Sequence, residues 1–196
     1  QLKDFKHLVG KELPGFATYE EKIIIAGEQM DDISGQFHES GPPIEDILEE
    51  REAIDETKDV EQVKEKSDLS KKRVFLYSSH NRESFLPHLP KETNPDRAYH
   101  QEVNITKVSE RLASQLEKNK IGASFDDTDI TTILHEKGWT YGKSYEASRP
   151  VVQNALEKYE DIEYVFDIHR DSLPYDKTTK TIHGTSYATL LFVIGA

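Results

Sequence analysis

His80 and His169 are the residues of this chain from which a chemistry can first be argued. Each ends a short apolar run rich in β-forming residues: His80 closes VFLYSS at 74–79, and His169 closes YVFDI at 164–168. In a parallel α/β sheet the carboxyl ends of strands open on the crevice that binds ligands, so two such imidazoles converge on one site. His100, just ahead of an amphipathic stretch, can point back to the same edge. Three groups of this kind make a catalytic zinc site whose fourth position is held by water. For any one of them a structural histidine is the commoner reading; the matching positions of His80 and His169 favour the ligand reading, and His100 is the weaker candidate. His7, His38, His88, His135 and His183 lie in loop or otherwise poorly placed contexts and are read as structural or solvent-facing.

Carboxylates stand close to these histidines. Glu83 follows His80 by three residues, Glu102 follows His100 by two, Asp167 precedes His169 by two and Asp171 follows it by two. Alternate residues of a strand share a face, so Asp167 can point with His169. Each carboxylate is a candidate metal ligand, an acceptor that orients an imidazole, or a general base. Glu83 and Arg170 are the catalytic candidates, Arg170 because a guanidinium matches a substrate carboxylate with two hydrogen bonds. Asn81, Arg82, Asp171 and Ser172 are the candidate substrate contacts, and Glu102 is an alternative metal ligand. The competing reading is a structural ion pair for Arg170 and a solvated surface for the acids, because 37 acidic residues are spread through the chain.

Composition narrows the classes. The chain has no cysteine, which excludes disulfides, thiolate catalysis and Cys-type zinc sites and leaves His, Asp and Glu to hold any metal. A net charge of -12 argues against a phosphate backbone as partner, so no nucleic acid is expected. Neither a phosphate-binding glycine loop nor a GxSxG elbow is present, and Tyr141-Gly142-Lys143 reads as a turn. No apolar run reaches about 18 residues and there is no signal-peptide pattern. The chain starts at Gln1 rather than Met, which suggests a fragment whose targeting segment, if any, lies upstream.

The elements that must position these residues follow from periodicity. Residues 1–42 read as an N-terminal appendage with a strand-like run at 23–27, and 43–72 as a charged linker, mobile or a solvated helix. Residues 73–196 read as an α/β domain. Strands are expected at 73–80, 123–125 and 164–169. A helix over 103–116 places Ile105, Val108, Leu112 and Leu116 on one face. A second helix spans 144–159, or starts only at Pro150, with Val151, Val152, Ala155, Leu156 and Tyr159 as its apolar side. The apolar run 188–194 reads as a fourth strand. Together these predict a mostly parallel central sheet flanked by helices. A buried strand needs covering elements, so natural sequence is expected to continue beyond Ala196.

The segments VFLYSSHNRESF at 74–85, YHQEVNITKV at 99–108 and DIHRDS at 167–172 resemble the stage II sporulation protein P family, over about residues 73–196. The resemblance implies the α/β fold of the zinc-dependent N-acetylmuramoyl-L-alanine amidases and hydrolysis of the amide between muramic acid and the first L-alanine of the peptidoglycan stem, with endopeptidase action on cross-linked stems also credited to the family. It implies a role in forespore engulfment, outside the cytoplasm at the septal membrane between mother cell and forespore. There the anchor is an upstream helix absent here, and stage II sporulation proteins D and M are partners. It matches His80 to the first metal histidine and His169 to the last. Related amidases place a glutamate four residues before the asparagine that opens the first helix; here that position, counted from Asn104, is His100, which becomes the expected middle ligand, with Glu102 and Glu83 as alternatives. The family's catalytic glutamate is expected after a later strand, beyond Ala196. Two rivals stand beside this reading: a noncatalytic wall- or partner-binding module of the same fold, and a different metallopeptidase or deacetylase on a similar sheet.

Overall fold

A computed structural model describes residues 41–55 and 69–193. The strand-like run at 23–27, His7, His38, nearly all of the appendage and the middle of the charged stretch lie outside the described residues.

The sheet is parallel and is built from β1 (Val74–Tyr77), β2 (Ala123–Phe125) and β3 (Tyr164–Asp167), in the order β2-β1-β3. A strand covered on both faces carries a continuous apolar run rather than an alternation. Val74, Phe75 and Leu76 are accordingly all buried, and β1 is the central strand. The flanking strands each leave a side chain partly in solvent, Phe125 on β2 and Val165 on β3. Register pairs Val74 with both Ala123 and Tyr164, so the carboxyl ends of β1 and β3 finish level. The chain moves from β1 to one side and returns to the other, which puts the reversal of strand order between β1 and β3, where a crevice opens in sheets of this type.

Helix α2 (Thr106–Lys118) covers the sheet, but not with the expected face. Its buried residues are Ser109 and Ala113, while Val108 and Leu112 are exposed. Small side chains let the helix settle closely on Val74, Leu76 and Ala123, with Leu116 and Ile121 filling the margin. Asn104 precedes the helix and accepts hydrogen bonds from the Thr106 amide (3.0 Å) and hydroxyl (2.6 Å), supplying an acceptor to its first turn.

A second cluster forms around α1 (Ile44–Leu48), α3 (Ile130–Glu136) and α4 (Ser144–Lys158). Ile44, Ile47, Tyr99, Ile130, Leu134, Tyr141 and Ala147 are buried together there. The beginning of the stretch expected as a solvated linker is therefore packed: its charge lies on one side of a short helix whose two isoleucines face inward. Helix α3, which periodicity did not single out, starts at Asp129, whose side chain accepts from the Thr132 amide. Helix α4 begins at Ser144 and runs through Pro150 rather than starting there, and it buries Ser144, Ala147, Ser148 and Ala155 while Leu156 is exposed. The expected turn at Tyr141–Lys143 is a single 3-10 turn leading into it.

Beyond the sheet, α5 (Tyr175–Thr178) precedes an antiparallel hairpin of β4 (Thr179–Ile182) and β5 (Thr185–Ala188). Its two loop residues, His183 (φ 50°) and Gly184 (φ 82°), both take the positive φ that two-residue hairpin loops require. The fourth strand expected at 188–194 is not there: Ala188 ends the hairpin, and residues 189–193 have no regular structure, with Leu191 74% and Val193 86% exposed. Apolar composition does not make a strand without a neighbouring strand to take its backbone hydrogen bonds, and among the described residues this segment pairs only at its first residue, where the Thr189 amide donates to the Thr178 carbonyl (2.8 Å).

Candidate metal centre

Three side chains converge at the carboxyl ends of β1 and β3. His80 lies just beyond β1, Glu83 on the turn that follows it, and His169 just beyond β3. Their potential donor atoms all lie within 4.8 Å of one another. His80 Nδ1 is 3.6 Å from Glu83 Oε1, and His169 Nδ1 is 3.9 Å from Glu83 Oε2. The imidazoles stand nearly perpendicular, centroids 4.9 Å apart and planes at 83°, an edge-to-face arrangement rather than a stack. His80 and Glu83 are buried and His169 is exposed, which leaves one side of the cluster open to solvent.

The turn after β1 aims Glu83 inward. The Glu83 amide donates to the His80 carbonyl (3.1 Å), and the next residues pair with the 98–100 segment through Ser84 N to Ala98 O (2.7 Å) and His100 N to Arg82 O (2.9 Å). Ser84, buried, donates from its hydroxyl to the Val103 carbonyl. The Glu83 carboxylate is then fixed by the Arg170 amide, 2.7 Å from Oε2. His169 is set from its other nitrogen: Nε2 lies 3.1 Å from Asp167 Oδ2, and Asp167 Oδ1 accepts from the Ser79 amide at 2.8 Å. Burial pushes the Asp167 carboxyl up, but the close imidazole of His169 and the bond from the Ser79 amide outweigh it and leave Asp167 below its ordinary value. It stays ionised, and an ionised carboxylate behind an imidazole is the usual arrangement at metal-bound histidines.

Two tyrosines, Tyr141 from the 3-10 turn and Tyr145 from the start of α4, complete the wall. Tyr141 stacks on His80 with centroids 4.2 Å apart and planes at 20°, and Tyr145 lies 5.6 Å from His80 and 6.3 Å from His169. Gly41 presses against the Tyr141 ring so closely that a Cβ there would fall 1.9 Å from Cδ1. Neither tyrosine was singled out from the sequence; both are some sixty residues from His80, and no local pattern links them to it.

The other expected site residues are placed elsewhere. His100 does not join the cluster: its Nε2 donates to the Arg51 carbonyl (2.8 Å), and its Nδ1 accepts from the Glu102 (3.0 Å) and Val103 (2.9 Å) amides. Both nitrogens are thus committed to backbone, and Glu83, held in the sequence reading as an alternative, occupies the middle position. Glu102 is exposed and turned away from the cluster with that segment. Asn81 and Arg82 are buried rather than presented to a substrate. Asn81 Nδ2 donates to Asp129 (3.0 Å), and Arg82 reaches the same carboxylate from Nη2 (2.6 Å) and Nε (3.2 Å). Burial pushes Asp129 up, but the bonds from Arg82, Asn81 and Thr132 more than reverse this and hold it below its ordinary value. The pair pins the His80 turn to the start of α3.

Arg170 spends its guanidinium on carbonyls, Nη1 on Pro95 (2.9 Å) and Nη2 on Ala98 (3.2 Å), so it anchors the 95–98 loop and serves the cluster through its backbone amide. Ser172 donates to Asp96, and Asp171 is exposed outside the cluster.

The donor set suits a divalent ion of zinc type: two imidazole nitrogens, one carboxylate, an open side, and an orienting group behind Glu83 and His169. Ligand atoms around tetrahedral zinc lie roughly 3.3 Å apart, as follows from bonds of about 2.0 Å. One donor atom from each residue lies within 4.8 Å of the others, so side-chain adjustments of up to about 1.5 Å bring the three to that spacing.

A family model described as Stage II sporulation protein P (SpoIIP) matches residues 3–196. Over 205 residues the chain is 42% identical to the Stage II sporulation protein P of Bacillus subtilis (strain 168), an alignment covering 99% of this chain and 50% of that protein. The chain thus spans half the length of the curated relative it matches. No solved structure matches it.

Proposed function

The chain belongs to the stage II sporulation protein P family, and on that premise we propose that it is the catalytic part of a zinc-dependent peptidoglycan hydrolase that cleaves the N-acetylmuramoyl-L-alanine amide during engulfment. Cross-linked stems are a second substrate. The observation that carries this reading is the meeting of His80, Glu83 and His169 within 4.8 Å at the open ends of two parallel strands. When bound, a zinc ion there polarises a carbonyl and brings its water to a pKa of about 7. The chain's own residues hold and orient. His80, Glu83 and His169 supply the ligands, Asp167 sets the ring of His169, and the Arg170 amide fixes the Glu83 carboxylate. Tyr141 closes the inner side against water, and the exposed edge of His169 leaves an approach for an extended wall polymer. Among the described residues no helix is long and apolar enough to cross a membrane. Action outside the cytoplasm at the septal membrane, through an anchor outside these residues and with stage II sporulation proteins D and M as partners, belongs to the same proposal and is supported by family membership.

The test is metal content and product together. The complete domain, including the sequence that follows Ala196, is expected to carry about one equivalent of zinc and to release intact stem peptides from sacculi, identified by mass spectrometry through their free L-alanine amino group. His80→Ala and His169→Ala should lose both. A protein without zinc that still binds sacculi would instead be a wall-binding module, and release of acetate or of cut stems alone would indicate a deacetylase or peptidase.

A further inference from the structure

We infer that Tyr145 is a catalytic residue of this centre, its phenol donating a hydrogen bond to the oxygen that gains negative charge when the scissile carbonyl is attacked. The inference rests on the hydrolase reading above. Tyr145 is the second residue of α4, and its ring faces both imidazoles, 5.6 Å from His80 at an interplanar angle of 52° and 6.3 Å from His169 at 46°. Its neighbour Tyr141 shows what a packing tyrosine looks like here: 8% exposed and part of the apolar cluster. Tyr145 is 50% exposed and sits on the side where His169 is also open to solvent. It is therefore an aromatic group with a polar tip, half exposed beside both imidazoles on the open side of the cluster.

The step is amide hydrolysis. Water oxygen bonds to the carbonyl carbon, and the C=O π pair moves onto the carbonyl oxygen, where the Tyr145 O–H donates without surrendering its proton. Collapse re-forms C=O and breaks C–N; the amine leaves with one proton of the water, and the other stays with the new carboxylic acid. A preorganised donor aimed at such an oxygen contributes about 10²–10³ in kcat.

Tyr145→Phe in the full chain keeps the ring and removes only the donor. Expected are a kcat lower by about 10²–10³, KM and zinc content unchanged, and a matching loss of affinity for a phosphonate analogue of the muramoyl amide, whose anionic tetrahedral centre resembles the attacked carbonyl. Unchanged kcat overturns the inference, and so does a rise in KM alone, which would make the ring a stacking platform. A complete wild-type domain that binds zinc but releases no stem peptide overturns the hydrolase reading and takes this inference with it, an outcome visible without any variant.

Discussion

Asp167 Oδ2 lies 3.1 Å from His169 Nε2 while its Oδ1 accepts from the Ser79 amide at 2.8 Å, so one carboxylate joins the ends of β1 and β3 and stands against a histidine of the candidate metal centre. With Nε2 on Asp167, the ring presents Nδ1 to Glu83 Oε2, 3.9 Å away. Asp167→Asn keeps the shape but removes the charge behind the imidazole. Zinc affinity should fall about 10–100-fold, as for other groups that orient metal-bound histidines. Competition against a chromophoric chelator measures it; unchanged affinity would mean that the strand end alone orients His169.

His100 and Glu83 exchange roles relative to the expectation from spacing, and zinc stoichiometry tells them apart. Glu83→Gln should lower bound zinc well below one equivalent. His100→Ala should leave stoichiometry intact but cost stability, because the Glu102 and Val103 amides lose their shared acceptor and the Arg51 carbonyl its donor. A buried group left without its partner costs about 1–3 kcal/mol. Metal loss in His100→Ala with unfolding unchanged would reverse the assignment.

Ile47 is 1% exposed although it lies in a strongly charged stretch. Truncation to alanine removes its packing against Ile130, Leu134 and Tyr141, and substitutions of this kind in a core cost about 2–5 kcal/mol. Urea unfolding of Ile47→Ala should show that loss, whereas a change below about 0.5 kcal/mol is what a solvated linker position would give.

Asp129 governs part of the acid response. Its folded carboxyl lies below the ordinary 3.8, held there against burial by Arg82, Asn81 and Thr132. A group depressed on folding contributes stability that is fully present above its unfolded pKa and is lost as pH falls through the folded one. The difference in urea midpoint between wild type and Asp129→Asn should therefore be constant from pH 7 to about 5 and should shrink only below about pH 4. A difference that already shrinks between pH 7 and 5 would place the response on another group.

Much of the scaffold was legible because its signals are local. The continuous apolar run of β1 and the β-formers of β3 marked strands without knowledge of their partners, and the rule that parallel strands open at their carboxyl ends then picked out His80 and His169. The helix faces were less legible. Val108 and Leu112 fit an apolar stripe as well as Ser109 and Ala113 fit a small one, and the sheet selected the small stripe because it permits closer approach. The run 188–194 misled for the same reason: apolarity marks a segment as able to be buried, but a sheet must supply a neighbour.

The third member of the cluster marks the boundary most sharply. Residue types and order along the chain determined that no thiolate could serve, that imidazole and carboxylate were the available donors, and that two of the histidines ended the strands of a parallel sheet. They could not choose between Glu83 and His100, since both stand within reach of the same strand edge and both bind zinc. Folding made that choice through backbone hydrogen bonds: the turn after β1 pairs with residues 98–100 and presses Glu83 inward onto the Arg170 amide, while the same pairing turns His100 outward to the Arg51 carbonyl. It also brought Tyr141 and Tyr145 to the imidazoles from the 3-10 turn and the first turn of α4, a proximity that no spacing along the chain encodes, because it arises only when that distant segment packs against the end of the sheet.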